Sequence, residues 1–217
     1  MTAVTVFSSC NTEPITKTDK LSIVTTIYPY YEFAREIAGD KARVTQLIPP
    51  GAEIHSFEPT PKDILRIKNA DIFIYNGGES DEWVEDVLDS IESDVKIMCM
   101  FDYADLIYEE DIDHNRGDEY DEHIWTSILN DKKLVKAISG EIIKLDKPNK
   151  DYYSEKTDSY LSLLDYYDNS FREAVNKSAK KPMIVADRFP LLYFVKEYGI
   201  KYESAFPGCT SETQPSI

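Results

Sequence analysis

From residue 21 onward, short apolar runs alternate with segments whose apolar residues recur at three- and four-residue steps. Such alternation predicts an α/β fold with a largely parallel sheet, because a crossover helix must return the chain to the same edge before each new strand. LSIVTTI at 21–27 predicts the first strand. Pro29 suits a first helical turn, Phe33 pairs with Ile37 and Ala34 with Ala38, and Gly39 supplies a stop. VTQLI at 44–48 predicts a second strand, and Thr60, Pro61 and Asp63 then make a helix start of cap, first-turn proline and acidic third position, leading into Ile64, Leu65 and Ile67. DIFIY at 71–75 and VKIMCM at 95–100 predict two further strands, separated by a helix carrying Trp83, Val84, Val87, Leu88 and Ile91. Together these elements define an N-terminal α/β lobe over residues 21–148.

Residues 109–122 break the pattern. They are dense in carboxylates, with His114 and Gly117 among them, so they cannot bury an apolar face and are expected to form a solvated loop. Leu134, Val135, Ile138 and Ile142 mark the next helix, which LDKPNK ends. No glycine or proline occurs over 149–178, and Tyr153, Tyr160, Leu164, Tyr167, Phe171 and Val175 predict one buried stripe along a single helix. Thirty residues at about 1.5 Å each reach roughly 45 Å, enough to link two lobes. PMIVA at 182–186, a short helix with Phe194 and Tyr198 stopped by Gly199, and IKYESAF at 200–206 begin a second lobe over 179–217. Two strands and one helix cannot cover both faces of a sheet, so this lobe is expected to be incomplete.

Composition narrows the partners. With 40 acidic and 24 basic residues the formal charge is -16, so nucleic acid and anionic bilayer surfaces are repelled and a cation is the better ligand. Hydrophobic residues make up 42% of the chain, enough for packed cores. Cys10, Cys99 and Cys209 show neither CxxC spacing nor a disulfide framework. Cys10 closes TAVTVFSSC, which has the form of a secretory leader ending in a lipoprotein-type cleavage box, and a polar tether follows it to residue 20. The expected location is therefore extracytoplasmic, with a lipid anchor at Cys10.

Only three histidines occur. His55, in GAEIHSFEPTP, follows the second predicted strand, and His123, in YDEHIWTS, follows the fourth. Ligands of open parallel sheets gather at the carboxyl ends of strands, and neutral imidazole is the commonest protein ligand of transition metals. Asp187 directly follows PMIVA and Glu212 lies in SETQPSI; both could add oxygen ligands, and Glu58 could orient His55 or supply an oxygen. The plainer readings are surface histidines, Asp187 as a helix cap, and the tyrosine stripe, Trp83 and Trp125 as packing. HExxH, GxSxG, P-loop and GxGxxG motifs are all missing from the sequence, so binding without covalent chemistry is favoured over a metal-dependent hydrolase built on His55, His123 and Asp187. A surface adhesin holding a structural metal is the third class.

The stretch from TTIYPYYEF through HSFEPTPKDILRIKNADIFIYNGGESDEWVEDVL, the DEHIWTS segment and the run AFPGCTSETQPS resemble the metal-binding subunits of ABC transporters that import zinc or manganese. The resemblance covers nearly the whole chain from residue 21. It implies two helix-flanked sheet lobes joined by a long rigid helix, with metal between them, and a monomer that delivers Zn2+, or alternatively Mn2+, to a membrane permease and its ATPase. It also implies His55 and His123 as ligands. The family's third ligand is commonly a histidine after the first strand of the second lobe, where this chain reads ADRFPLLYF with Arg188 at the place. Either Asp187 substitutes, or Glu212 serves, or one ligand of the family's set is lost. The acidic loop resembles the acid- and histidine-rich loop of zinc importers and would raise the local cation concentration.

Overall fold

The structure, a computed structural model, describes residues 20–108, 120–179 and 181–205. Cys10, Cys209, Glu212 and residues 109–119 of the acidic loop lie outside them. Four parallel strands, β1 (Leu21–Thr25), β2 (Ala42–Gln46), β3 (Ile72–Tyr75) and β4 (Lys96–Cys99), form a sheet in the order β2-β1-β3-β4. The first two strands differ from the predicted runs at their ends. Ile27 leaves the sheet to precede helix α1 (Tyr28–Ala38), while the N–H groups of Leu47 and Ile48 still reach Thr25 O and Thr26 O at 2.9 and 3.0 Å. β2 instead begins earlier, at Ala42, which pairs with Leu21.

Helix α1 starts with Pro29 in its first turn and ends at Gly39, which has φ +54°. The Tyr152 hydroxyl occupies the place where a Cβ on Gly39 would stand, so only glycine permits this approach. Helix α2 (Pro61–Lys68) carries the capping box that its sequence signals. Asp63 N donates to Thr60 Oγ1 at 3.3 Å, and Thr60 N donates to Asp63 Oδ2 at 3.1 Å. Helix α3 (Trp83–Ser90) covers the same side as α2, and Val24, Leu47, Ile67, Phe73, Val84 and Val87 fill the layer between them and the sheet.

The other face is larger. Helices α1, α4 (Ile128–Leu145) and α5 (Lys150–Lys177) pack on it around Ile23, Tyr30, Ile37, Ile72, Leu134, Ile138 and Tyr153. The 28 residues of α5 reach about 42 Å at a rise of about 1.5 Å per residue. Its buried positions are Tyr153, Thr157, Leu164 and Asp168, whereas Tyr167 and Phe171 of the predicted stripe are exposed. The cause is uneven cover: α1 and α4 flank the helix, and toward its far end the Phe171 ring packs on Phe194 and Tyr198 of α6, at 5.2 and 5.6 Å between ring centroids. Asp168 is buried there as a polar partner of the Tyr198 hydroxyl and Arg172.

The second lobe holds β5 (Met183–Val185), α6 (Leu192–Tyr198) and β6 (Tyr202–Ser204), with the two strands parallel. It joins the first through buried polar contacts as well as packing. Ser127 caps α4 by accepting from Asn130 N at 3.1 Å, and its hydroxyl donates to Glu197 Oε2 on α6. Burial, reinforced by the Glu197 carboxylate, pushes Asp131 on α4 well above the ordinary carboxylate range. Among the described residues, no helix is long and apolar enough to cross a membrane.

The core assignment is testable by a paired truncation. Leu134→Ala, at a fully buried site under α5, is expected to lower urea-unfolding stability by about 2 to 5 kcal/mol. Leu163→Ala on the exposed face of α5 should change it by less than about 0.5 kcal/mol. Equal losses would show that α5 does not present the face described.

Candidate metal centre

Each strand of the larger sheet releases a loop at its carboxyl end, and three of these loops meet. The loop after β2 ends in a 3-10 turn, Ile54–Ser56, which carries His55. The loop after β3 contains the turn Glu79–Asp81, packed against the first. The segment after β4 returns at Tyr120, whose ring lies 4.2 Å from that of Tyr108, and runs through Asp121 and Glu122 to His123. The His55 and His123 rings lie 6.5 Å apart between centroids.

His123 is buried and held from several sides. Asp121 Oδ1 accepts from its backbone N–H at 2.8 Å and lies 3.2 Å from its Nδ1. Its carbonyl accepts from Thr126 N and Oγ1 at 2.9 and 2.8 Å, closing the turn Ile124–Thr126 that leads into α4. Tyr193 of α6 stands behind, donating to Asp121 O at 2.9 Å and accepting from Ile107 N at 3.1 Å. Because the Asp121 carboxylate only accepts, it favours a proton on Nδ1, which in the neutral ring leaves the lone pair on Nε2.

His55 is half-buried and anchored differently. Its Nδ1 lies 2.8 Å from Ser80 Oγ and 3.7 Å from Glu122 Oε2, and Ser80 Oγ in turn contacts Glu122 Oε2. Ser80 N donates to Glu122 Oε1 at 2.7 Å. Gly78 makes room for this carboxylate: its φ is +85°, and a Cβ there would stand 2.5 Å from Glu122 Oε1. Beneath lies Asn76, whose Nδ2 donates to Glu122 O at 3.0 Å and whose Oδ1 accepts from the Tyr30 hydroxyl.

Asp81 completes this floor by accepting from Asn76 N at 2.7 Å and Gly77 N at 3.2 Å. Burial nevertheless raises its carboxyl to about 6, with the Glu122 carboxylate adding to the rise and the two backbone N–H groups opposing it.

The four predicted site residues therefore fall into three situations. His55 and His123 are neighbours. Asp187 lies exposed past the end of β5, accepting from Arg188 N at 2.8 Å, and α6 begins only at Leu192, so Asp187 is not its cap. Glu212 is outside the described residues. Among the described residues, no three His, Cys, Asp or Glu side chains converge in a metal-holding group. Glu58 is exposed, and the His55 ring is met by Ser80 and Glu122 instead.

Glu122 corrects the reading of 109–122 as one solvated loop. Asp121 is buried at 3% exposure, and both acids are built into the site. Their signal was adjacency: two carboxylates directly before a histidine can supply its orienting partner. Ser80, inside the turn sequence NGGES, carried no such signal.

A folded-state value near 6 for Asp81, above the roughly 3.9 of an unfolded aspartate, means that folding penalises its ionised form. That penalty is full above pH 6 and fades as pH falls toward 4. The stability of the wild type relative to Asp81→Asn is expected to improve by about 2 kcal/mol between pH 7.5 and 4.5, measured by denaturant unfolding. A flat difference would contradict the burial of this acid.

The sequence pattern of the family described as ZnuA, zinc-uptake complex component A, periplasmic, matches residues 23–217. The high-affinity zinc uptake system protein ZnuA of Bacillus subtilis is 35% identical over 92% of this chain and 65% of its own length. The manganese ABC transporter substrate-binding lipoprotein PsaA of Streptococcus pneumoniae is 29% identical over 88% of this chain and 64% of its own length. Across these two and the zinc-binding AdcA relatives of streptococci, the chain spans between 41% and 65% of the relative's own length. In three dimensions it is similar to the Zn(II)-bound ZnuA-like domain of Streptococcus pneumoniae AdcA, with a TM-score of 0.73 and 30% identity over 85% of this chain and 66% of that one. Parallel strands flanked by helices, one of them long, are thus the shared architecture, and the chain belongs to the ZnuA family of zinc-uptake components.

Proposed function

We propose that this chain captures a divalent transition metal outside the cytoplasm, zinc in preference to manganese, and delivers it to an ABC-type permease driven by its ATPase. The observation that carries the reading is the pair of imidazoles, 6.5 Å apart, whose Nδ1 atoms are both engaged by neighbouring side chains. Rings held in that way offer Nε2 lone pairs from two different loops, and metal-ligating histidines are oriented in this manner by carboxylates and other acceptors. A zinc-to-nitrogen bond of about 2 Å would bring two rings on one tetrahedral ion to roughly 5 Å between centroids. Loading therefore closes the pair by about 1 to 2 Å, a small loop movement.

Two nitrogen ligands favour zinc, and carboxylate oxygens shift preference toward manganese. A zinc-uptake relative at 35% identity and a manganese relative at 29% fit that order. Asp187 remains the proposed oxygen ligand from the second lobe, reached by closure of the lobes about the α5 link, and Glu212 is its proposed alternative. The metal is cargo, and binding it requires no covalent step. The periplasmic family description and the lipoprotein relative support an extracytoplasmic site of action; Cys10 is the proposed anchor and a monomer the proposed state.

Calorimetric titration of the full chain with each ion tests the assignment. Zinc is expected to bind more tightly than manganese, and His55→Ala or His123→Ala to weaken zinc binding by at least about tenfold. Tighter manganese binding would reverse the cargo, and unchanged zinc affinity in both variants would remove the site. Since a protonated imidazole cannot ligate, zinc affinity should fall as the solution is acidified. Constant affinity down to pH 5 would argue against histidine ligation.

A further inference from the structure

The two imidazoles are oriented by different devices, and the one at His55 has a chemical consequence. Asp121 meets His123 directly. At His55 a hydroxyl is interposed: Nδ1 lies 2.8 Å from Ser80 Oγ, and Ser80 Oγ contacts Glu122 Oε2. A serine hydroxyl has one proton to donate and lone pairs to accept with, whereas a carboxylate only accepts. The Ser80 proton therefore goes to Glu122, and Ser80 Oγ is left as an acceptor facing His55. An acceptor at Nδ1 demands a proton there, so the neutral ring keeps its lone pair on Nε2. In water a neutral histidine ring carries its proton mainly on Nε2, the opposite choice.

We propose that Ser80 and Glu122 form a proton-ordered relay, Nδ1–H to Oγ–H to carboxylate, that sets the tautomer of His55 and presents Nε2 to the metal. Both are positioning residues. The relay is rigidly mounted. Ser80 N binds the second Glu122 oxygen at 2.7 Å, Asn76 Nδ2 binds the Glu122 carbonyl at 3.0 Å, and Gly78 leaves the space that the carboxylate fills. It also joins the β3 loop to the residue immediately before His123, so the two imidazoles share one support. The effect on affinity rests on the metal-capture reading; the tautomer does not.

The test uses the metal-free full chain at a fixed pH of 8, where long-range proton–nitrogen NMR distinguishes protonated from unprotonated ring nitrogens. Wild-type His55 is expected to show a protonated Nδ1 and a bare Nε2, and Ser80→Ala to shift the ring toward the reverse. Zinc titrations should then show a loss of roughly 10- to 100-fold in Ser80→Ala and Glu122→Ala. Ser80→Thr, which keeps the hydroxyl, should restore both the tautomer and most of the affinity. A wild-type ring protonated on Nε2 overturns the relay even if zinc binds. Loss of zinc binding in Glu122→Ala with none in Ser80→Ala also overturns it, because Glu122 would then be a ligand itself. A wild type with the expected tautomer but no zinc affinity upholds the relay and removes the capture function.

Discussion

Buried hydrogen-bonding groups must find partners, and at Asn76 this requirement holds the site together. Its Oδ1 accepts from Tyr30, its Nδ2 reaches Glu122 O, its N–H donates to Asp81 and its carbonyl accepts from Phe101 N at 3.0 Å. One residue at the end of β3 thus ties α1, the β3 loop, the end of β4 and the histidine segment. Leaving any of these buried groups unmet costs about 1 to 3 kcal/mol. The carboxyl edge of the sheet is consequently a cross-linked platform, although it consists of turns.

Support of that kind suits the capture proposed above. A cargo ion must bind tightly enough to be collected and still be surrendered, so ligand geometry is better held by surrounding structure than assembled by the ion. The platform belongs almost wholly to the first lobe. The second lobe touches it through Tyr193, which bonds Asp121 O and Ile107 N, and through Glu197, which accepts from the Ser127 cap of α4. These polar links and the α5 helix join the two lobes. The Tyr193 bonds fall on the backbone of Ile107 and Asp121 and the Glu197 bond on the Ser127 side chain, whereas the side-chain relay of His55 stays within the first lobe.

Much of this was legible from residue order. The parallel four-stranded sheet, the capping box of α2 and the single long helix followed from periodicity and punctuation, because those are local consequences of side-chain spacing and backbone restriction. The prominence of His55 and His123 followed from their rarity and from their place after strands. The tyrosine stripe of α5 was read too far, since periodicity reports which face could be buried and not how much of its length finds a neighbour.

By itself, then, the sequence determined the class of fold and its order of elements, and it singled out His55 and His123 as candidate ligands. Tertiary structure alone decided that Ser80 and Glu122 meet the His55 ring. Ser80 and His55 are 25 positions apart, and Ser80 and Glu122 are 42 apart. No local pattern encodes either contact, because each depends on how three loops from adjacent strands converge. Asp121 and Glu122 carry the same lesson: they read as the end of a solvated acidic run, and they became structural when Tyr193, Asn76 and Gly78 closed around them.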